Sequence, residues 1–224
     1  MKIPSTFDPR SIPVQRVDNH LPRLSKGHWD PAGIERKFSQ GVVWTPEFAS
    51  EPRFVDRPLS QAAVLIALVM RQDMSVLLTQ RTAHLTSHSG QIAFPGGKVD
   101  ATDVDVIAAA LREAHEEIGL EAKFARVLGV MPTYTTGSGY IVSPVVAAVS
   151  EGFSLSTSAD EVADVFEVPL EFLMDPANHR HHAVDWGGSR REWLSIPYPD
   201  AAGERFIWGA TAGMLRNLYQ FLRA

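Results

Sequence analysis

The chain has 224 residues, 45% of them hydrophobic, with a formal net charge of −5 and no cysteine. That is enough apolar side chain for one domain with a proper core. The negative balance argues against a broad nucleic-acid surface, so an anionic partner has to be met locally, and the missing thiols exclude disulfides, thiolate zinc sites and cysteine nucleophiles together. The first twenty residues hold no apolar core of signal-peptide length, and the longest apolar run, 62–70, is far too short to span a bilayer. The expectation is a cytoplasmic protein with no membrane partner.

Eight of the 15 prolines fall at or before Pro58, so regular structure there should be sparse and short. Asp30 followed by Pro31 reads as a helix N-cap with proline in the first turn, opening a brief helix through Ile34 to Phe38. Residues 1–58 are taken as a proline-rich extension wrapped on a domain spanning 59–224. From Ala62 the runs AAVLIALVM and SVLLTQ predict two buried strands joined by a turn at Arg71 to Asp73. Further strands are expected at 124–130, 141–149 and 205–208, with TYTTGSGY as a loop between the first two. A last helix, 210–222, carries Met214, Leu215, Leu218 and Leu222 at helical spacing and reads as a core stripe. The histidines of NHRHH, His179, His181 and His182, are assigned to a solvated loop after Pro176.

The chemistry concentrates in one helix, expected over 103–118. Thr102 with Asp105 suggests a capping-box-like start, and Gly119 a C-terminal stop. At 100° per residue, Glu113, Glu116 and Glu117 fall within an arc of roughly 100°, while Ile107, Leu111, Ala114 and Ile118 form another. An acidic stripe is most often a solvated face. Here Glu113 and Glu117 repel at i,i+4 spacing close to the negative end of the helix dipole, a cost that a divalent cation would reverse. Hard oxygen ligands suit Mg²⁺ or Mn²⁺ better than zinc. The preceding Phe94-Pro95-Gly96-Gly97 permits a tight turn and a close backbone approach.

The segment Arg112-Glu113-Ala114-His115-Glu116-Glu117-Ile118-Gly119-Leu120 resembles the second half of the Nudix hydrolase box, Arg-Glu-apolar-x-Glu-Glu-x-Gly-apolar. The first half departs. Counting back from Arg112, the box's isolated glutamate falls on Val104 and its glycine on Lys98, so Gly97 matches only with one inserted residue, and Asp103 or Asp105 is left to take the acidic role. That extension, with Leu77-Leu78-Thr79-Gln80-Arg81 upstream and Gly90 leading to Phe94-Pro95-Gly96-Gly97, is similar to the coenzyme A diphosphatase branch. Thr86 stands where that branch has an arginine, which removes a bidentate phosphate donor.

The resemblance implies an α/β fold, an α/β/α sandwich with a mixed β-sheet between helices. It implies Mg²⁺ or Mn²⁺ held by Glu113, Glu116 and Glu117 with the Gly97 carbonyl, and Arg112 orienting the glutamates. The general base would be Glu113 or Glu161, and Arg81, Gln91 and His88 would face substrate. The activity implied is hydrolysis of coenzyme A or its thioesters to 3′,5′-ADP and (acyl-)4′-phosphopantetheine. Two alternatives stand beside it: another nucleoside diphosphate derivative such as ADP-ribose, NADH or a nucleotide sugar, and a non-catalytic ligand-binding module on the same fold. For the extension, a cover over the substrate cleft and a homodimer interface both stay open.

Overall fold

A computed structural model describes residues 7–82, 90–186, 189–201 and 203–224. His88 and Thr86 lie outside the described residues. The central layer is a mixed sheet. Strands β2 (Ser60–Val69) and β8 (Tyr140–Val149) run parallel through ten paired residues, and β3 (Ser75–Arg81), β4 (Ile92–Ala93), β5 (Gly96–Lys98), β6 (Ala125–Val130), β7 (Tyr134–Thr135) and β9 (Val162–Pro169) join antiparallel. β2 reads as a near-continuous apolar run because both of its faces are covered. Ala63, Leu65, Ala67 and Val69 pack with Ala109, Ala110, Ala114 and Ile118 of helix α2 (Val106–Ile118). Ala62, Ile66 and Leu68 pack in the same cluster as Met214, Leu215 and Leu218 of helix α4 (Gly209–Arg223), and Ile34 of helix α1 (Pro31–Gln40) joins them. The architecture is the expected α/β sandwich, helix against sheet against helix.

The strand expected at 205–208 belongs to a second, four-stranded sheet whose other strands were not legible in the sequence. β1 (Val14–Val17), β10 (Arg180–Trp186), β11 (Ser189–Asp200) and β12 (Gly203–Trp208) pair antiparallel in that order. β10 takes up Arg180, His181 and His182 of the NHRHH motif, with His179 just before it, and the expectation of a solvated loop is corrected there: His179 and His182 are 0% and 4% exposed. His182 uses both ring nitrogens, on the Ile12 carbonyl at 2.9 Å and the Ser195 hydroxyl at 2.8 Å, and Trp193 stacks on its ring. A buried imidazole with every nitrogen partnered is cheap to bury.

The N-terminal residues are not superficial. Leu24, Trp29 and Ile34 sit in the same buried cluster as the sheet, and α1 begins as the Asp30-Pro31 signal indicates, with the Asp30 side chain accepting from Gly33 N–H at 3.0 Å. Arg216 on α4 ties two distant points of this segment down. It is 2% exposed and pairs with Asp18 at 2.9 Å and Glu47 at 2.6 Å, while its Nη1 meets His179 Nδ1 at 3.1 Å. α4 is thus more than the apolar stripe its spacing suggests. A short helix, α3 (Leu170–Leu173), links β9 to the second sheet. Among the described residues no helix is long and apolar enough to cross a membrane.

Candidate active site

α2 starts later than the sequence indicates. Its N-cap is Asp105, whose carboxylate accepts from Ala108 N–H at 2.8 Å, and Thr102 instead bonds Asp100. This separates the two candidate aspartates: Asp105 caps the helix, and Asp103 pairs with Arg112 through two 2.9 Å hydrogen bonds. Val104, at the isolated-glutamate position, is 90% exposed.

Arg112 is a hub. Besides Asp103 it reaches Glu116 at 2.8 Å, Glu113 at 3.0 Å and the Lys98 carbonyl at 3.1 Å, and its hydrogen bonds to Asp103 hold that carboxyl below the usual carboxylate range. The three glutamates differ in environment. Glu116 is more than half exposed, Glu113 is 17% exposed and Glu117 is 5% exposed at the side chain. One face of the helix does not present three equal carboxylates, because Glu117 points into the β3–β5 junction.

That junction needs its glycines. β5 lies against the first half of β2, and a Cβ on Gly96 would stand 2.4 Å from the Ala63 carbonyl oxygen. A Cβ on Gly97 would stand 2.5 Å from Glu113 Oε2, so the carboxylate rests directly on backbone. Gly96 N–H donates to Glu117 Oε2 at 3.1 Å, and Arg81, at the end of β3, brings Nη1 to 3.7 Å from Glu117 Oε1. These two contacts do not neutralise the site. Burial pushes the Glu117 carboxyl up to about 7 despite Gly96 and Arg81, with Glu113 and Glu161 adding repulsion. Burial also raises Glu113, outweighing Arg112, with Glu116 and Glu161 again repelling.

Glu161 is brought here by the loop after β8. Ser156 and Ser158 donate backbone N–H groups to the Ile118 and Glu117 carbonyls, both at 2.9 Å, which satisfies the open C-terminus of α2, and Thr82 N–H takes the Glu161 carbonyl at 3.0 Å. Gln91 enters through its backbone, whose carbonyl accepts from Arg81 N–H at 2.9 Å. The structure therefore gathers Glu113, Glu117, Glu161, Arg112, Arg81 and the Gly96–Gly97 turn in one place.

Buried carboxylates with raised pKa values, cushioned on Cβ-free backbone, fit a hard divalent cation, which would supply the missing positive charge. The tightest grouping of ligand-type atoms among the described residues lies elsewhere. Asp18, Glu47 and His181 converge within 4.8 Å, but Arg216 already pairs with both carboxylates, so that cluster holds its own cation.

A capped helix bearing clustered glutamates over a glycine turn, on a sheet sandwiched between helices, is the arrangement that the comparisons with known proteins identify. Residues 59–187 match the model of the NUDIX domain. A protein of Escherichia coli O7:K1 named Uncharacterized Nudix hydrolase NudL is 47% identical over 161 residues, 70% of this chain and 80% of that one. Its namesake in Shigella flexneri serotype 5b is 45% identical over 172 residues, covering 75% and 86%. Among solved structures, a MutT/nudix family protein from Enterococcus faecalis aligns over 84% of this chain and 73% of its own with 15% identity and a TM-score of 0.45. The chain belongs to the Nudix family. It is a Nudix hydrolase acting on a nucleoside diphosphate derivative, in a family that uses divalent metals and binds small nucleotides.

Proposed function

We propose that the chain hydrolyses the diphosphate of coenzyme A or its thioesters with Mg²⁺ or Mn²⁺. Water oxygen is added to one phosphorus, the bridging P–O bond breaks, and 3′,5′-ADP and (acyl-)4′-phosphopantetheine leave. The observation that carries the reading is the placement of Arg81, the last residue of the Leu77–Arg81 segment, 3.7 Å from Glu117 at the carboxylate cluster.

Glu113, Glu116 and Glu117, with the Gly97 carbonyl, would hold the ion. When bound, it neutralises phosphoryl charge and makes a water more acidic. The chain's own groups do the rest. Arg112 fixes the rotamers of Glu113 and Glu116. Arg81 offers a guanidinium to a phosphoryl oxygen, with Gln91 and His88 as further substrate-facing groups. Glu161, exposed at the end of its loop, takes the proton of the attacking water on a carboxylate oxygen, the role for which Glu113 is the other candidate. Residues 1–58 act as an extension on the 59–224 domain, in a cytoplasmic enzyme that is a homodimer if that extension covers an interface.

The second reading, a different diphosphate such as ADP-ribose, NADH or a nucleotide sugar, is favoured by Thr86 in place of the branch's arginine. Incubation with coenzyme A, ADP-ribose and NADH in parallel, with Mg²⁺ and with chelator, separates the two. A phosphopantetheine product from coenzyme A alone supports the first reading, and cleavage of ADP-ribose or NADH instead establishes the second.

A further inference from the structure

The segment leading into β2 is laid along the TYTTGSGY stretch by four backbone hydrogen bonds: Glu51 N–H to Thr135 and Thr135 N–H to Ala49, both 2.8 Å, and Phe54 N–H to Gly137 and Ser60 N–H to Gly139, both 3.0 Å; Gly139 N–H to Thr136 at 3.0 Å closes the stretch on itself. The Glu51 carboxylate is turned inward, accepting from Tyr134 OH at 3.0 Å and Gly137 N–H at 2.9 Å. Its cations face outward. Arg57 is exposed, donates Nε and Nη2 to the Ser138 carbonyl at 3.2 and 2.7 Å, and lies over the Tyr140 ring at 4.7 Å from its centroid. Arg53, also exposed, donates to the Arg57 carbonyl. Among the described residues no carboxylate forms an ion pair with Arg53, Arg57 or Lys98, although Asp56 lies between the two arginines in sequence.

Register places the start of this rim one residue along β5 from Gly97, on the sheet face that Ala62 turns toward α4, whereas Gly97 pairs with Ala63 on the α2 face. Lys98 and Val142 both pair with Ala62 on β2, and Tyr140 pairs with Ser60, so Lys98 and Tyr140 share one pleat face, two strands apart and two residues offset. With strands about 4.8 Å apart and a rise of about 3.3 Å per residue, their backbones are about 12 Å apart, a gap that a lysine and an arginine side chain reaching inward can close around one anion. The Lys98 carbonyl is the one that Arg112 holds, so the strip begins on backbone tied to the metal helix and ends on residues that precede the family-matched span.

We infer that Lys98, Arg57 and Arg53 form a phosphate-reading strip, with the Tyr140–Arg57 stack as its floor, that binds a phosphate monoester on the nucleoside part of the substrate. This rests on the coenzyme A reading, whose substrate carries such a 3′-phosphate in addition to the diphosphate. A guanidinium that keeps free N–H donors beside an aromatic ring suits both the phosphate and an adjacent base.

The test compares KM and kcat for coenzyme A and for dephospho-coenzyme A, the same molecule without the 3′-phosphate, in wild type, Arg53→Gln, Arg57→Gln, Arg57→Lys and Lys98→Gln. The wild type is expected to show a KM about tenfold or more lower for coenzyme A, the worth of one charge-assisted contact. Each glutamine variant shrinks that KM ratio toward one with little change in kcat, and Arg57→Lys restores part of it. Equal KM values in the wild type overturn the inference, as does a rise in both KM values that keeps their ratio, which is the mark of a purely structural bracket. If the wild type turns over neither compound yet cleaves ADP-ribose, the substrate reading has failed and the inference falls with it.

Discussion

Arg112 and Asp103 form a two-pronged pair: Nε donates to Oδ1 and Nη2 to Oδ2, each at 2.9 Å. Asp103 also accepts from its neighbouring turn, through Asp100 N–H at 2.7 Å. An arginine anchored so firmly on one side can hold Glu113 and Glu116 on the other. Asp103→Asn removes the charge and one acceptor while keeping the shape. Outer partners of metal ligands typically contribute about ten- to a hundredfold in activity or metal affinity. The expected result is a loss of that size in kcat/KM with a higher Mg²⁺ requirement and an unchanged circular dichroism spectrum.

Glu117 makes stability depend on pH and on metal. Its folded carboxyl titrates at about 7 against 4.5 ordinarily, so the folded state holds this proton more tightly than the unfolded one. The associated stability is fully present below pH 4.5 and is lost as pH rises through 7. At one pKa unit per 1.36 kcal/mol the loss is on the order of 3 kcal/mol, or about 6 to 12 °C in Tm for a chain of this size. Raised Glu113 acts in the same direction. Thermal melts from pH 5 to 8.5 should fall with pH in chelator and recover with Mg²⁺ mainly at the alkaline end, and Glu117→Gln should flatten the curve.

The two glycines of the turn are expected to fail differently. A methyl on Gly97 meets only the end of the Glu113 side chain, whereas one on Gly96 meets the Ala63 carbonyl and the Val64 backbone and sits at φ 156°. Gly97→Ala should fold normally and lose turnover as Glu113 is displaced. Gly96→Ala should lose about 1–3 kcal/mol or more of stability. Urea unfolding beside a rate assay distinguishes the two.

Arg216→Met leaves Asp18, 1% exposed, buried without the guanidinium that pairs with it at 2.9 Å. Burial pushes the Asp18 carboxyl up, but a hydrogen bond and charge from His181, with the charges of Arg216 and Arg16, hold it below the usual range. Removing one member of a buried pair typically costs about 3–5 kcal/mol. The expected outcome is a loss of that order in urea unfolding, with faster proteolysis between residues 18 and 47.

The catalytic half of the fold was legible because its signals are local. Buried β2 and β3 are apolar runs, the Asp30 cap and Gly119 stop mark helix ends, and the α2 glutamates carry their own spacing. Of the second sheet only β12 was, as the strand expected at 205–208; its other strands defy composition. β11 contains Pro197 and Pro199, β1 is four residues among prolines, and β10 is charged and histidine-rich. Only partners far along the chain, Ile12 and Ser195 for His182 and Arg216 for His179, make those histidines core residues. Likewise the one-residue shift in the box left Asp103 and Asp105 equivalent on paper, and the position of Arg112 in three dimensions separated them.

The most direct measurement is the Mg²⁺ dependence of coenzyme A hydrolysis, with products identified by mass spectrometry, in wild type, Glu117→Gln and Glu47→Gln. The expected result is 3′,5′-ADP and 4′-phosphopantetheine from the wild type, loss of about a hundredfold or more in Glu117→Gln, and an unchanged metal requirement in Glu47→Gln. Full activity in Glu117→Gln, or a metal requirement abolished by the change at Glu47, would contradict the placement of the chemistry on α2.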